Sequence, residues 1–244
     1  MDPDFELMAK VRQIHSDTRS SYGSRRISGQ LRDDGYDVGR YRARTLMKKA
    51  GVSVKRRKKF KRTTDSNHKH RIAPNLLNRQ FDVERPNAAW CADITYLWTV
   101  QGWLYLAVVL DLYSRKVVGW ALSNRLTALV VKDALSMAYW RRKPEKGIIH
   151  HSDRGSQYAG GDYQKMLDQY GMICSMSRKG DCWDNAVVES FFHSLKTEWI
   201  ADIIYKTRNE ARADVINYIE MFYNSRRLHS FLGNTNPNSF ENNS

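Results

Sequence analysis

Leu7, Val11 and Ile14 recur at helical spacing and predict a first helix over residues 5–16. Ile27 and Leu31 mark a second short helix that Gly35 ends. VGRYRARTLMKKAG at 38–51 makes a third, basic on its open faces and closed by Gly51. Residues 52–80 keep no clear period and read as a linker. From residue 88 the period shortens to that of strands. AAWCADITYLWTV, GWLYLAVVLDLYS and RKVVGWALS are apolar, β-branched and aromatic, and the breaks TVQG and YSRK are tight enough for antiparallel hairpins. A helix (TALVVKDALSMAYWRR), a strand (GIIHHSD), a helix (YQKMLDQYG) and a strand (MICSMS) follow. Next comes a helix within GDCWDNAVVESFFHSLKTE, then a last helix near 208–224 and the basic stretch YNSRRLHSFLG.

Three antiparallel strands followed by alternating helices and strands predict a mixed α/β sheet with helices on both faces. The order β-β-β-α-β-α-β-α resembles the ribonuclease H-like fold, here preceded by a small helical domain. Two short helices joined by GYDVG, the second one basic, suit a helix-turn-helix. The expected organisation is a DNA-binding helical domain over 1–54, a basic linker over 55–80, a catalytic core over 81–200 and a C-terminal helix and tail over 201–244.

Charge sharpens this reading. The net charge is +14, and residues 40–62 concentrate it without a single acid. They hold Arg40, Arg42, Arg44, Lys48, Lys49, Lys55, Arg56, Arg57, Lys58, Lys59, Lys61 and Arg62. Such a block binds a polyphosphate by releasing counterions, so nucleic acid is the expected partner. The three cysteines form no CxxC pair, which argues against a zinc site or a disulfide frame. The longest apolar run, LYLAVVL, is too short to span a bilayer, and the acidic N-terminus does not suit a secretory signal. A soluble cytoplasmic protein with no membrane partner, associated with the nucleoid when on DNA, is expected.

The helix near residue 189 carries two stripes. Val188, Phe191, Phe192, Leu195 and Trp199 make a buried one; Asn185, Glu189, His193 and Lys196 make a polar one beside it. Taken alone, Glu189 reads as a solvated helix residue. Two further carboxylates change that. Asp93 interrupts the apolar first strand, where a charge is costly unless paired or bound to metal, and Asp153 ends the fourth strand. With strands one and four as neighbours, Asp93 and Asp153 meet, and the helix of Glu189 crosses the same edge. Three converging carboxylates need a cation, and hard oxygen donors suit magnesium, with manganese as substitute. Two such ions are the standard device for in-line attack on a phosphodiester. Lys196, two turns on, would grip the strand being processed.

At this point the chain resembles the DDE transposases of bacterial insertion sequences, the IS-three family, whose core is similar to retroviral integrase. The resemblance rests on YGSRRI at 22–27, WCADITYL at 90–97, LDLYSRKVVGW at 110–120 and HSDRGSQY at 151–158. It rests equally on MSRKGDCWDNAVVESFFHSLKTE at 176–198 and YNSRRLHSFLG at 223–233, and on the 35 residues between Asp153 and Glu189. It implies that Asp93, Asp153 and Glu189 are a catalytic triad binding two divalent ions, and that Lys196 contacts DNA. It implies cleavage of the element's own ends and joining of the freed 3′-hydroxyl to target DNA, without a Ser or Tyr nucleophile. The partners it implies are terminal inverted repeats, target DNA, further copies of the chain on that DNA, and an upstream reading-frame product.

Several residues keep two readings. Asp111 either adds a fourth carboxylate, as a ribonuclease H or junction nuclease would need, or shapes its hairpin with Ser114 and Arg115. His151 shares a face with Asp153 and either touches metal or DNA or packs behind them. Asn185 orients Glu189 or caps its helix with Asp184. Arg178 and Lys179 contact phosphate or are merely solvated. Arg226, Arg227 and His229 stay unassigned. An idle, purely DNA-binding descendant of such an enzyme is the remaining alternative.

Overall fold

The computed structural model describes residues 4–54 and 70–243, apart from the side chain of Cys182. The chain divides into two compact units. Of the described residues, one gathers 4–54, 193–202 and 228–235; the other gathers 70–192, 203–227 and 236–243.

The first unit is built on α1 (Phe5–Asp17), α2 (Ser24–Asp33) and α3 (Arg40–Lys49). The spacing that predicts these helices also selects their inner faces. Leu7, Val11 and Ile14 of α1, Ile27 and Leu31 of α2, and Ala43, Leu46 and Met47 of α3 are all buried. The chain between α2 and α3 is held by the Ser28 hydroxyl, which donates to the Val38 carbonyl at 2.6 Å. Distant segments complete the unit. The Arg19 guanidinium lies 3.8 Å over the Trp199 ring and donates to the Trp199 carbonyl, and the Leu228 N–H donates to the Tyr22 hydroxyl at 2.9 Å.

The second unit holds a five-stranded sheet in the order β3-β2-β1-β4-β5. The strands are β1 (Ala89–Thr99), β2 (Gly102–Asp111), β3 (Val117–Ser123), β4 (Ile149–Ser152) and β5 (Ile173–Met176). Both expected hairpins form: β1 and β2 pair antiparallel from Trp90↔Asp111 to Thr99↔Gly102, and β2 pairs antiparallel with β3. β4 joins β1 in parallel, and β5 joins β4 in parallel. The ribonuclease H-like order of strands and helices is thus present, with the helical domain before it. The connecting helices are α4 (Ala128–Arg142), the single turn α5 (Ser156–Ala159) and α6 (Gly161–Gln169). Further along come α7 (Ala186–Ser194), α8 (Arg208–Asn217) and α9 (Pro237–Asn242). Residues 195–199 continue α7 in wider-wound turns, and 218–223 do the same for α8.

Trp90, Ala92, Ala107, Val109 and Val118 of the strands pack with Val131, Ala134, Leu135 and Ala138 of α4, and with Tyr163 and Leu167 of α6. This contact requires a glycine. A Cβ on Gly119 of β3 would stand 2.2 Å from the Ala134 carbonyl oxygen and 2.7 Å from the Ala138 Cβ. α4 therefore lies on bare strand backbone, and the sheet and helix close without a gap. Among the described residues no helix is long and apolar enough to cross a membrane.

Candidate active site

Register places the two aspartates. β1 and β4 pair in parallel up to Ala92↔Ser152, so Asp93 and Asp153 are the residues on the next rung, where β4 ends and β1 runs on. Both are half-buried at a strand end of an open sheet, the position at which such sheets bind ligands. Each is fixed by the backbone next to it. Asp93 Oδ1 accepts from the Ile94 N–H at 2.7 Å, and Asp153 Oδ1 accepts from the Gly155 N–H at 2.9 Å. Gly155 leaves room for this turn: a Cβ there would stand 3.0 Å from Asp153 Oδ1. Tyr158, fully buried, has its phenol pushed up by burial, by Tyr163 and by the negative charges of Asp93 and Asp153 together.

Glu189 sits on the first turn of α7, half-buried. Asn185, one turn earlier, ties the start of this helix to β1. Its Nδ2 donates to the carbonyl of Ala92, the residue preceding Asp93, at 3.3 Å. Asn185 is 2% exposed, and its Oδ1 has no protein partner.

Asp184, adjacent to it, performs a different task. Fully buried, it accepts from the Arg178 backbone N–H, the Arg178 guanidinium at Nε and Nη2, Arg79 Nε and Asn75 Nδ2, all between 2.7 and 2.9 Å. Arg178's hydrogen bond outweighs burial and holds the Asp184 carboxyl well below the usual range. Asp181 caps the same turn by accepting from the Trp183 N–H, and it pairs with Arg79. Sequence reasoning missed this clamp. A buried Asp inside WDN between two apolar stretches was its only trace.

The remaining residues fall as follows. His151 is fully buried between Ser175, 2.8 Å from its Nδ1, and Ser177, 3.3 Å from its Nε2, and burial pushes its pKa down to about 4. It packs behind the strand end as a neutral ring. Asp111, also fully buried, accepts from the Asn87 and Tyr113 N–H groups and from Arg142, which in turn holds Glu241. It pairs in register with Trp90, three residues back along β1 from Asp93, and shapes the end of its hairpin. Lys179 is exposed in the second unit. In the first unit, Lys196 is half-buried, while Arg40, Arg42 and Arg44 are exposed on α3. Arg42 and Lys49 both reach Asp4. Lys55, Arg56, Arg57, Lys58, Lys59, Lys61 and Arg62 lie outside the described residues.

No group of three or more His, Cys, Asp or Glu among the described residues is gathered closely enough to hold a metal ion. The donor chemistry of Asp93, Asp153 and Glu189, all carboxylate oxygen, is nevertheless that of a hard divalent cation.

Relatives decide the family. The chain is 45% identical over 225 residues to transposase InsF for insertion sequence IS3A of Escherichia coli, covering 92% of this chain and 78% of that one. The chain belongs to the IS3 transposase family. It is likewise 44% identical to an uncharacterized 31 kDa protein of insertion element IS600 from Shigella sonnei, over 97% of this chain and 87% of that protein. An integrase core domain model matches residues 83–182 and a second one matches 189–244, while an HTH-like domain model matches 2–60. A chain in the simian T-cell lymphotropic virus intasome, in complex with a PP2A regulatory subunit, shares the fold at a TM-score of 0.54 and 14% identity, over 95% of this chain and 74% of that one. This IS3-family transposase is therefore an enzyme with a polynucleotidyl-transferase type of core.

Proposed function

We propose that this transposase cleaves the 3′ ends of its own element and transfers the freed hydroxyls to target DNA, with Asp93, Asp153 and Glu189 as its catalytic carboxylates. The supporting observation is the shared rung of Asp93 and Asp153 at the end of β4, together with the Asn185 bond that ties the helix of Glu189 to Ala92. Three carboxylates brought together would repel one another, so a divalent cation would be needed to hold them. Asp93, Asp153 and Glu189 would hold two divalent ions, magnesium or manganese, which would lower the pKa of the attacking water or 3′-hydroxyl and stabilise the leaving oxygen. The chain's own work is positional. The Ile94 and Gly155 N–H groups orient the aspartates, and the Asp184 clamp holds the turn from which Glu189 projects.

Lys179, Lys196, Arg40, Arg42, Arg44 and the basic block 55–62 contact the DNA backbone in this reading. Arg178 serves mainly the Asp184 clamp and presents its exposed part to phosphate. The HTH-like unit binds the terminal inverted repeats. The working form is a homo-oligomer on DNA, aided by the upstream reading-frame product.

The test is nicking and strand joining of supercoiled plasmid with manganese. Glu189→Gln is expected to lose more than about 100-fold, since losing even an outer partner of a metal ligand costs about 10–100-fold. Asp111→Asn is expected to stay within a few-fold of wild type. Equal activity in wild type and Glu189→Gln would refute the catalytic assignment.

A further inference from the structure

The turn at 182–185 that leads into α7 is held on both sides of Trp183. Asp181 accepts from the Trp183 N–H at 3.3 Å. Beyond the tryptophan, buried Asp184 accepts from Arg178, Arg79 and Asn75, and Asn185 donates to the Ala92 carbonyl. Trp183 itself is 68% exposed. Tryptophan is highly buried on average, because its large apolar surface is costly to leave in water. A single exposed ring is common on protein surfaces; what sets this one apart is its place.

The Ile149 N–H donates to the Ala88 carbonyl, while the Ala89 carbonyl accepts from Leu112. Backbone groups alternate in direction along a strand, so residues 88, 90 and 92 turn theirs toward β4. β4 ends at Ser152, opposite Ala92. The Asn185 amide therefore enters where β1 and β4 part, one rung before Asp93 and Asp153. Trp183 is two residues from that point and six from Glu189, about 10 Å along the axis of the turn and α7. That is some three steps of a DNA strand at roughly 3.4 Å each. Arg178 and Lys179 bring exposed cations to the same loop.

An aromatic face near cations is the pairing that holds unstacked nucleotides: the cations track phosphates, and the ring takes a base face whatever the base. Inside an intact duplex those faces are covered by neighbouring pairs. A fixed, solvated indole finds one only where a pair is opened. We propose that Trp183 stacks on a base unpaired beside the phosphodiester under attack, and so holds the DNA open at the site. This assignment rests on the strand-cleaving reading above and adds that its substrate is locally melted.

The test uses the full chain and two labelled duplexes of one arbitrary sequence, since stacking on a ring is sequence-tolerant. One is fully paired; the other carries two adjacent central mismatches, with 2-aminopurine at one of them. Wild type is expected to prefer the opened duplex and to quench the 2-aminopurine. Trp183→Ala is expected to bind the opened duplex about 5–150-fold more weakly, the range that one base–aromatic stack gives. It should lose the quench and change binding of the paired duplex by less than about twofold. Trp183→Phe keeps a stacking face and should retain most of the preference. The side chain is exposed, so both variants should melt with wild type. Equal binding of the two duplexes by wild type would overturn the proposal. So would a Trp183→Ala variant that keeps preference and quench, or one that loses affinity equally for both duplexes. Plasmid nicking separates this from the catalytic reading. If Glu189→Gln nicks like wild type, the catalytic assignment falls. If Glu189→Gln is inactive and Trp183→Ala binds both duplexes as wild type does, the stacking assignment alone falls.

Discussion

Asp184→Asn isolates the clamp in front of α7. In the wild type, Oδ2 accepts three donors (the Arg178 N–H, Arg178 Nε and Asn75 Nδ2), and Oδ1 accepts two (Arg178 Nη2 and Arg79 Nε). An asparagine can turn its one oxygen to the three-donor side, which leaves its NH₂ against the two guanidinium groups. Two charge-assisted bonds are then lost, nominally ~1.5–3 kcal/mol each. The side chains of Arg178 and Arg79 are 49% and 41% exposed, so water takes over much of their pairing. A net loss of about 2 kcal/mol remains, or a fall of roughly 4–8 °C in melting temperature for a chain of this size. The pH dependence gives a second readout. The Asp184 carboxyl lies well below its ordinary value of 3.8, so its contribution is complete above that value and is lost as pH falls through the folded one. Wild type and variant should therefore differ at pH 7 and converge in strong acid. Calorimetry and circular dichroism melts from pH 7 downward decide it. A variant that melts with the wild type at pH 7 would refute the account of the clamp.

Other outcomes follow from packing and burial. Gly119→Val forces a branched side chain against the Ala134 carbonyl, where even a Cβ would be 2.2 Å away. It should destabilise the sheet unit by about 3 kcal/mol or more, read as loss of soluble, cooperatively melting protein. His150 is fully buried, and burial pushes its pKa down to about 3 from 6.5. The unfolded chain therefore binds the proton more tightly, and stability should decline as pH falls from 6.5 towards 3. His150→Gln should flatten that decline in a urea-midpoint series, and an unchanged slope would contradict the burial argument.

Periodicity carried the architecture. Helical and strand spacings are local, and the face they make apolar is the face that is buried. Leu7, Val11 and Ile14, and equally Val188, Phe191, Phe192, Leu195 and Trp199, are buried as their spacing requires. The order of elements resembles the ribonuclease H-like fold, and that order sets strands one and four side by side, as the sheet has them. The family was equally legible, since its motifs are contiguous strings.

Pairing between distant polar side chains was not legible. Nothing in the spacing of Arg79, Arg178 and Asp184 tells that one carboxylate engages both guanidinium groups, or that Asn185 bonds to a strand carbonyl. Asp111 kept two readings in the sequence, a fourth carboxylate or a hairpin residue, and its backbone donors and Arg142 favour the second. Burial faces are set by neighbours three or four positions away, which a sequence displays. Hydrogen-bond partners are set by ångström-scale geometry between segments whose separation along the chain carries no signal, and there the tertiary structure alone decides.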